Sequence, residues 1–239
     1  GWYFDQNIHV DVLPNGIQYI KFGRRYNQPI YKGTLPNSLR GIEFGRFFNQ
    51  TIDEGVLPKG LCYIRFGYRF NRQLMKNVLP DTLHRLVFGS QFNRQIDTGI
   101  LPGNIRELVF GAEFNQQIKD GVLPEHLEQL FFGTDFNQPL LEGTLPSRLQ
   151  TLTFGNRFDQ RLNVNVLPSS LRQLTLGWRF NKKISMGVLP IDLERLVFGN
   201  FFRHPIENDL QLLVSGHKYM FEEGALPDST VVLSTVMYY

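Results

Sequence analysis

A β-rich repeat solenoid of 22-residue coils is the fold class this sequence predicts, with one parallel β-sheet, irregular or 3-10 returns and little α-helix. Three observations carry the expectation. Leu-Pro recurs at Leu13, Leu35, Leu57, Leu79, Leu101, Leu123, Leu145, Leu167 and Leu189, always 22 residues apart, with no insertion between residues 1 and 206. Each unit holds one short apolar alternation of strand type and no stretch of helical period. The 239 residues include 21 phenylalanines, 22 glycines and 13 prolines spread evenly along the chain, the bias of a repeat. A unit this small cannot bury a core alone, so it must stack on its neighbours.

Counting from the Leu of Leu-Pro as position 0, the unit reads L-P-x-x-L-x-x-L-x-F-G-x-x-F-N-Q-x-I-x-x-G-V. Positions 7 and 9 alternate as in a strand, for example Ile42-Glu43-Phe44, Leu108-Val109-Phe110 and Leu152-Thr153-Phe154. Position 10 is Gly in all nine coils, from Gly23 to Gly199, which implies close backbone packing or a restricted turn. Positions 9 and 13 should stack as two aromatic columns, one from Phe22 to Phe198 and one from Phe4 and Tyr26 to Phe202. Position 14 is Asn27, Asn49, Asn71, Asn93, Asn115, Asn137 and Asn181, with Asp5 and Asp159 as exceptions, and reads as an asparagine ladder serving unpaired backbone groups. Position 20 is Gly33, Gly55, Gly99, Gly121, Gly143 and Gly187, replaced by Asp11, Asn77 and Asn165; that set marks a left-handed turn residue.

After Phe202 the register breaks. Leu210, Leu213, Gly216 and Tyr219 resume the pattern five residues early, and Leu226-Pro227 opens a partial coil, so residues 207–239 are expected to form irregular coils and a cap on a single solenoid domain spanning 1–239. Gly1 falls on position 10, so an upstream segment is expected to precede it.

Composition excludes several function classes. The single cysteine, Cys62, rules out a disulfide framework or a multi-cysteine zinc site. His9, His84, His126, His204 and His217 occupy different positions of different coils, so no metal-ligand spacing arises. No P-loop, Gly-x-Gly-x-x-Gly or Gly-x-Ser-x-Gly occurs, and no carboxylate pair suggests a general acid and base. No catalytic residue, metal or cofactor is therefore assigned, and a non-enzymatic role is expected. No run of eighteen apolar residues provides a membrane span, and the start lacks the pattern of a signal peptide. Net charge is +3. Residues 1–90 hold twelve Lys/Arg against six Asp/Glu, residues 91–150 four against eight, and residues 151–239 nine against eight. That unevenness falls short of the continuous basic stripe of a nucleic-acid binder.

The segments Phe-Asn-Gln-x-Ile, Gly-Val-Leu-Pro and Leu-x-x-Leu-x-Phe-Gly resemble the FNIP repeat, a leucine-rich-repeat-like family of Dictyostelium-type amoebae and of giant DNA viruses that infect amoebae. Asn27-Gln28-Pro29-Ile30 and Asn137-Gln138-Pro139-Leu140 come closest to the family name. The resemblance covers nearly the whole chain. It implies a substrate-recognition part of an F-box ubiquitin-ligase receptor, working in the cytoplasm (the host's, for a viral protein), although no F-box lies within these residues.

Solenoids carry specificity on their variable outward positions. The expected protein-binding face is the strand surface at positions 6 and 8: Tyr63, Arg65, Arg85, Val87, Glu107, Val109, Gln129, Phe131 and Thr153. Val87, Val109 and Phe131 form an apolar centre with polar surroundings, as a protein-binding patch does. The competing explanation is the general preference of strands for β-branched and aromatic residues. A separate expectation is an anion or nucleic-acid site in the loop after the strand, where Arg24, Arg25, Arg46 and Arg69 are interleaved with Phe47 and Tyr68 and echoed by Trp178-Arg179. Self-association through open solenoid ends is the third.

Overall fold

The structure, a computed structural model, describes residues 3–204 and the backbone pairing of Lys218 and Tyr219. Each coil contributes one short strand: β1 (Tyr19–Lys21), β2 (Gly41–Glu43), β3 (Tyr63–Arg65), β4 (Arg85–Val87), β5 (Glu107–Val109), β6 (Gln129–Phe131), β7 (Thr151–Thr153), β8 (Gln173–Thr175), β9 (Arg195–Val197) and β10 (Lys218–Tyr219). They form one parallel sheet in chain order. From β1 to β9 each strand lies in register with residues 22 positions away, Ile42 between Ile20 and Ile64 and Leu108 between Leu86 and Leu130. The middle residue of each strand points inward, and Ile42, Ile64, Leu86, Leu108 and Leu130 are fully buried. Its two neighbours face outward, so the sheet has one solvent face.

The returns are turns, and no helix occurs among the described residues. Two hydrogen-bonded turns recur: Leu39 N–H donates to Pro36 O (3.1 Å), and Val56 N–H donates to Asp53 O (3.2 Å). The second requires a left-handed third residue. All nine occupants of position 20 have positive φ, from Asn77 at 64° to Gly33 at 87°. Position 10 demands glycine for a different reason. A Cβ on Gly67 would overlap the carbonyl oxygen of Gly45, and the same collision recurs from coil to coil. Close backbone approach, not turn geometry, is therefore the cause.

Inside, the two aromatic columns form as expected. Ring centroids of the two columns lie 3.7–4.3 Å apart within a coil. Between coils, the column starting at Phe22 repeats every 5.4–5.9 Å. The column starting at Tyr26 repeats every 6.1–6.3 Å. Parallel strands sit about 4.8 Å apart. When one screw operation relates successive coils, the distance between equivalent points grows with distance from its axis. Successive rings of the Tyr26 column are also tilted 5–12° to one another, as in a fan, so the stack curves with the sheet on the concave side and the Tyr26 column further out.

The asparagine ladder also forms. Asn49 N–H donates to Asn27 Oδ1 (2.8 Å), Asn71 N–H to Asn49 Oδ1 (3.0 Å) and Asn93 N–H to Asn71 Oδ1 (3.1 Å). It continues to Arg203 N–H on Asn181 Oδ1 (2.9 Å), with Asp5 and Asp159 accepting in the same way. Asn49-Gln50-Thr51 has the pattern of a glycosylation sequon, but its asparagine is part of the inter-coil bonding.

The C-terminal register differs from the sequence expectation. Lys218 lies opposite Arg195 and Tyr219 opposite Leu196, so this coil is 23 residues long and runs one residue late. Tyr219 pairs with Leu196, the middle residue of β9, whereas a five-residue advance would put it at position 13. The backbone ladder decides the register here, because leucines spaced closely can serve more than one alignment. Leu210, Leu213, Gly216 and Leu226-Pro227 lie outside the described residues.

Candidate protein-interaction surface

The solvent face of the sheet arranges the variable residues in two rows. Along one, Tyr63, Arg85, Glu107, Gln129 and Thr151 are successive in-register neighbours; along the other, Arg65, Val87, Val109, Phe131 and Thr153. The structure thus assembles every residue of the sequence-derived sheet face. Val87, Val109, Phe131 and Thr153 are half-buried, while Arg65, Arg85 and Gln129 are exposed. The apolar side chains shield one another sideways along the row and turn their remaining surface outward. In the neighbouring row, the Arg85 guanidinium bonds Glu107 at 2.9 Å and lies 5.4 Å from the centre of the Tyr63 ring.

At the N-terminal end, Gly41 leaves room for the rings of Tyr19 and Tyr63. A Cβ there would come within 2.7 Å of Tyr19 Cδ2 and 3.5 Å of Tyr63 Cδ1. Glu43 collects the polar groups around it, an ion pair from Lys21 Nζ (3.0 Å) and the Tyr63 hydroxyl (3.2 Å). Burial pushes the Glu43 carboxyl up, but hydrogen bonds from Tyr19, Lys21 and Tyr63 and the Lys21 charge outweigh it and hold the group below its ordinary range. Burial first, then the charge and hydrogen bond of Glu43, raise the Tyr63 phenol.

Beyond the strand ends runs a groove of about 780 Å³ across four coils. Its floor is the backbone of Gly23, Gly45, Gly67 and Gly89. One wall carries Lys21, Glu43, Arg65 and Val87, and the other Arg24, Arg46, Tyr68 and Ser90. The second wall is held by its own inter-coil backbone bonds, Phe47 N–H to Arg24 O (3.1 Å), Arg69 N–H to Arg46 O (2.9 Å) and Gln91 N–H to Tyr68 O (2.9 Å). Stacking on aromatic rings orders its guanidinium groups: Arg46 sits 4.7 Å from the Tyr68 centroid and Arg24 6.0 Å from that of Phe47.

The four loop arginines taken together from sequence are divided by this geometry. Arg24 and Arg46 line the groove; Arg25 and Arg69 are not among its lining residues and lie over Tyr3 (4.6 Å) and Phe47 (4.4 Å). In exchange the groove gains Arg65 and Lys21 from the sheet. By sequence Arg65 belongs to the sheet face and Arg24 and Arg46 to the loop; the signal that joins them is that positions 8 and 11 lie on either side of the same Phe-Gly pair.

Among the described residues, no group of three His, Cys, Asp or Glu side chains is placed to hold a metal ion. Cys62 is a half-buried free thiol, 3.4 Å from Gly60 O. Also among the described residues, no helix is long and apolar enough to cross a membrane.

A curved parallel sheet with short turn returns defines a repeat scaffold, a fold class that typically binds proteins and is typically non-enzymatic. The FNIP Repeat matches residues 4–47, 48–91, 92–135, 136–179 and 167–201, and the chain belongs to this family. Among solved structures it is similar to CroV588 of the giant virus CroV, described as a novel circular LRR protein, at 43% identity and a TM-score of 0.89. That match covers 96% of this chain and 35% of the other, so the chain spans about a third of the relative's length. No curated protein matches the chain.

Proposed function

We propose that the chain binds a protein partner against its concave sheet, with Val87, Val109 and Phe131 as the apolar centre of the contact. The observation that carries this reading is their in-register alignment on three adjacent strands, on the face the curvature turns inward. Apolar surface at the centre of a polar rim is what a partner can desolvate with profit. The half-burial of these side chains also gives them defined positions, which reduces the entropy lost on binding. Continued repetition of the same curvature leads to a closed form like that of the circular relative, and we take these coils as an arc of that kind. The ubiquitin-ligase receptor role implied by the family extends this reading to a whole protein, in which the concave face would hold the substrate.

The test is a pull-down with the wild-type chain beside the Val109→Glu/Phe131→Glu variant, after circular dichroism has established that both are folded. Proteins retained by the wild type and lost by the variant support the reading. Retention by both eliminates the sheet face as the contact.

A further inference from the structure

The groove beside the first four strands has a chemistry of its own. Its one carboxylate, Glu43, is already engaged by Lys21 and Tyr63. Among the described residues no carboxylate lies within ion-pair distance of Arg24, Arg46 or Arg65; the ion pairs there are made by Lys21, Arg85, Arg106, Arg157, Arg172 and Lys182. Three cations therefore line one groove without local compensation. Two of them stand on a backbone fixed by hydrogen bonds and are oriented by aromatic rings. The cationic stretch then ends abruptly. Arg65 is in register with Val87, Val87 with Val109 and Val109 with Phe131, so along one wall the surface passes from cationic to apolar between adjacent strands.

From this charge complementarity we infer that the groove receives an extended segment of the partner protein bearing Asp or Glu side chains, followed by apolar residues that continue onto Val87, Val109 and Phe131. The inference rests on the sheet-face reading and specifies the partner's chemistry. Spacing makes it definite. Strands about 4.8 Å apart crossed by an extended chain rising about 3.3 Å per residue put a carboxylate over Arg46 roughly four to six residues from apolar side chains over Val109 and Phe131. Carboxylates meet guanidinium groups in paired, charge-assisted hydrogen bonds, which suits arginine rather than lysine at these positions. A nucleic acid would need the cations to continue along the groove; here Ser90 and Val87 follow instead.

A phage-displayed library of random dodecapeptides, selected on the wild-type chain, tests the inference. Enriched peptides should carry at least two acidic residues followed within about six positions by apolar ones, and should lose about tenfold or more in affinity on Arg24→Glu/Arg46→Glu/Arg65→Glu. They should also weaken on Val109→Glu/Phe131→Glu and with rising salt. Enrichment of uncharged peptides that bind the triple variant normally and fail only on the double variant overturns the acidic-segment inference but sustains the sheet-face reading. Acidic peptides indifferent to the double variant overturn the continuous acidic-to-apolar ligand and the sheet-face reading together, as does the absence of any enrichment. Displacement of the selected peptides by single-stranded oligothymidylate at lower concentration than by free peptide overturns the inference in favour of nucleic acid.

Discussion

One hydroxyl separates Tyr26 from the phenylalanines that follow it in the column. The ring is fully buried and stacked between Phe4 and Phe48, and the hydroxyl finds no protein partner among the described residues. Burial, and then the charge of Asp5, raise the phenol from 10.0 to about 12. A raised value means that the folded state favours the proton. This contribution to stability is complete below pH 10.0 and is lost as pH rises toward about 12. Tyr26→Phe should stabilise the protein by about 1 kcal/mol, the cost of an unsatisfied buried hydroxyl. It should also reduce the fall in urea midpoint between about pH 9 and about pH 11. Glycines separate in the same way by mechanism. Gly67→Ala drives a methyl into the Gly45 carbonyl and should cost about 4 kcal/mol or more. At Gly99 an added Cβ would meet only the flexible Lys76 side chain, at an ordinary contact distance of 3.5 Å, and the φ of 84° is what opposes a side chain, so Gly99→Ala should cost about 1 kcal/mol and Gly99→Asn less. Thermal denaturation of the three variants checks the order.

At the scale of the repeated elements, each coil is bound to the next by three kinds of lateral bond: the strand ladder, the loop ladder and the asparagine ladder. Asn93 Oδ1 accepts both Asn115 N–H (3.0 Å) and Gln116 Nε2–H (2.9 Å). Asn93→Ala would leave a partly buried backbone donor unpaired and should cost about 1–3 kcal/mol. Asn93→Asp should be tolerated far better, because Asp159 already accepts Asn181 N–H at 2.8 Å in the equivalent place. Chemical denaturation of the two variants would show whether the acceptor oxygen alone is required. The strand and asparagine ladders, the left-handed turns and the aromatic columns were all legible in sequence, since each is a local demand repeated at one position. The groove was not, because its walls belong to positions 8 and 11 of four different coils. Their meeting depends on how the chain bends around the glycine between them.

For the molecule as a whole, identical coils mean that stability is a sum of neighbour contacts. Removing residues 101–122, one complete coil, should bring Gly89 beneath Gly133 and Asn93 beneath Asn137 and leave a folded, slightly less stable protein. The deletion also takes out Val109 and should weaken partner binding. Removing residues 101–111 instead displaces every later phenylalanine and glycine from its column and should abolish cooperative unfolding. Circular dichroism with thermal melting distinguishes the two. The same additivity explains why the concave face can change chemistry from one coil to the next while the core stays constant: the inward columns and the backbone ladders repeat in every coil whichever outward side chains accompany them.

The repeat length, the strand positions, the inward columns and the family were determined by the sequence by itself. Each is a requirement that every coil must meet separately, so it is written nine times at a fixed interval. The one-residue lengthening before β10, the inward curve of the sheet, the pairing of Glu43 with Lys21 and the joining of Arg24, Arg46 and Arg65 were decided by tertiary structure. These are relations between coils, set by differences in stacking distance and by which side chains meet across the glycine floor, and no single repeat encodes them.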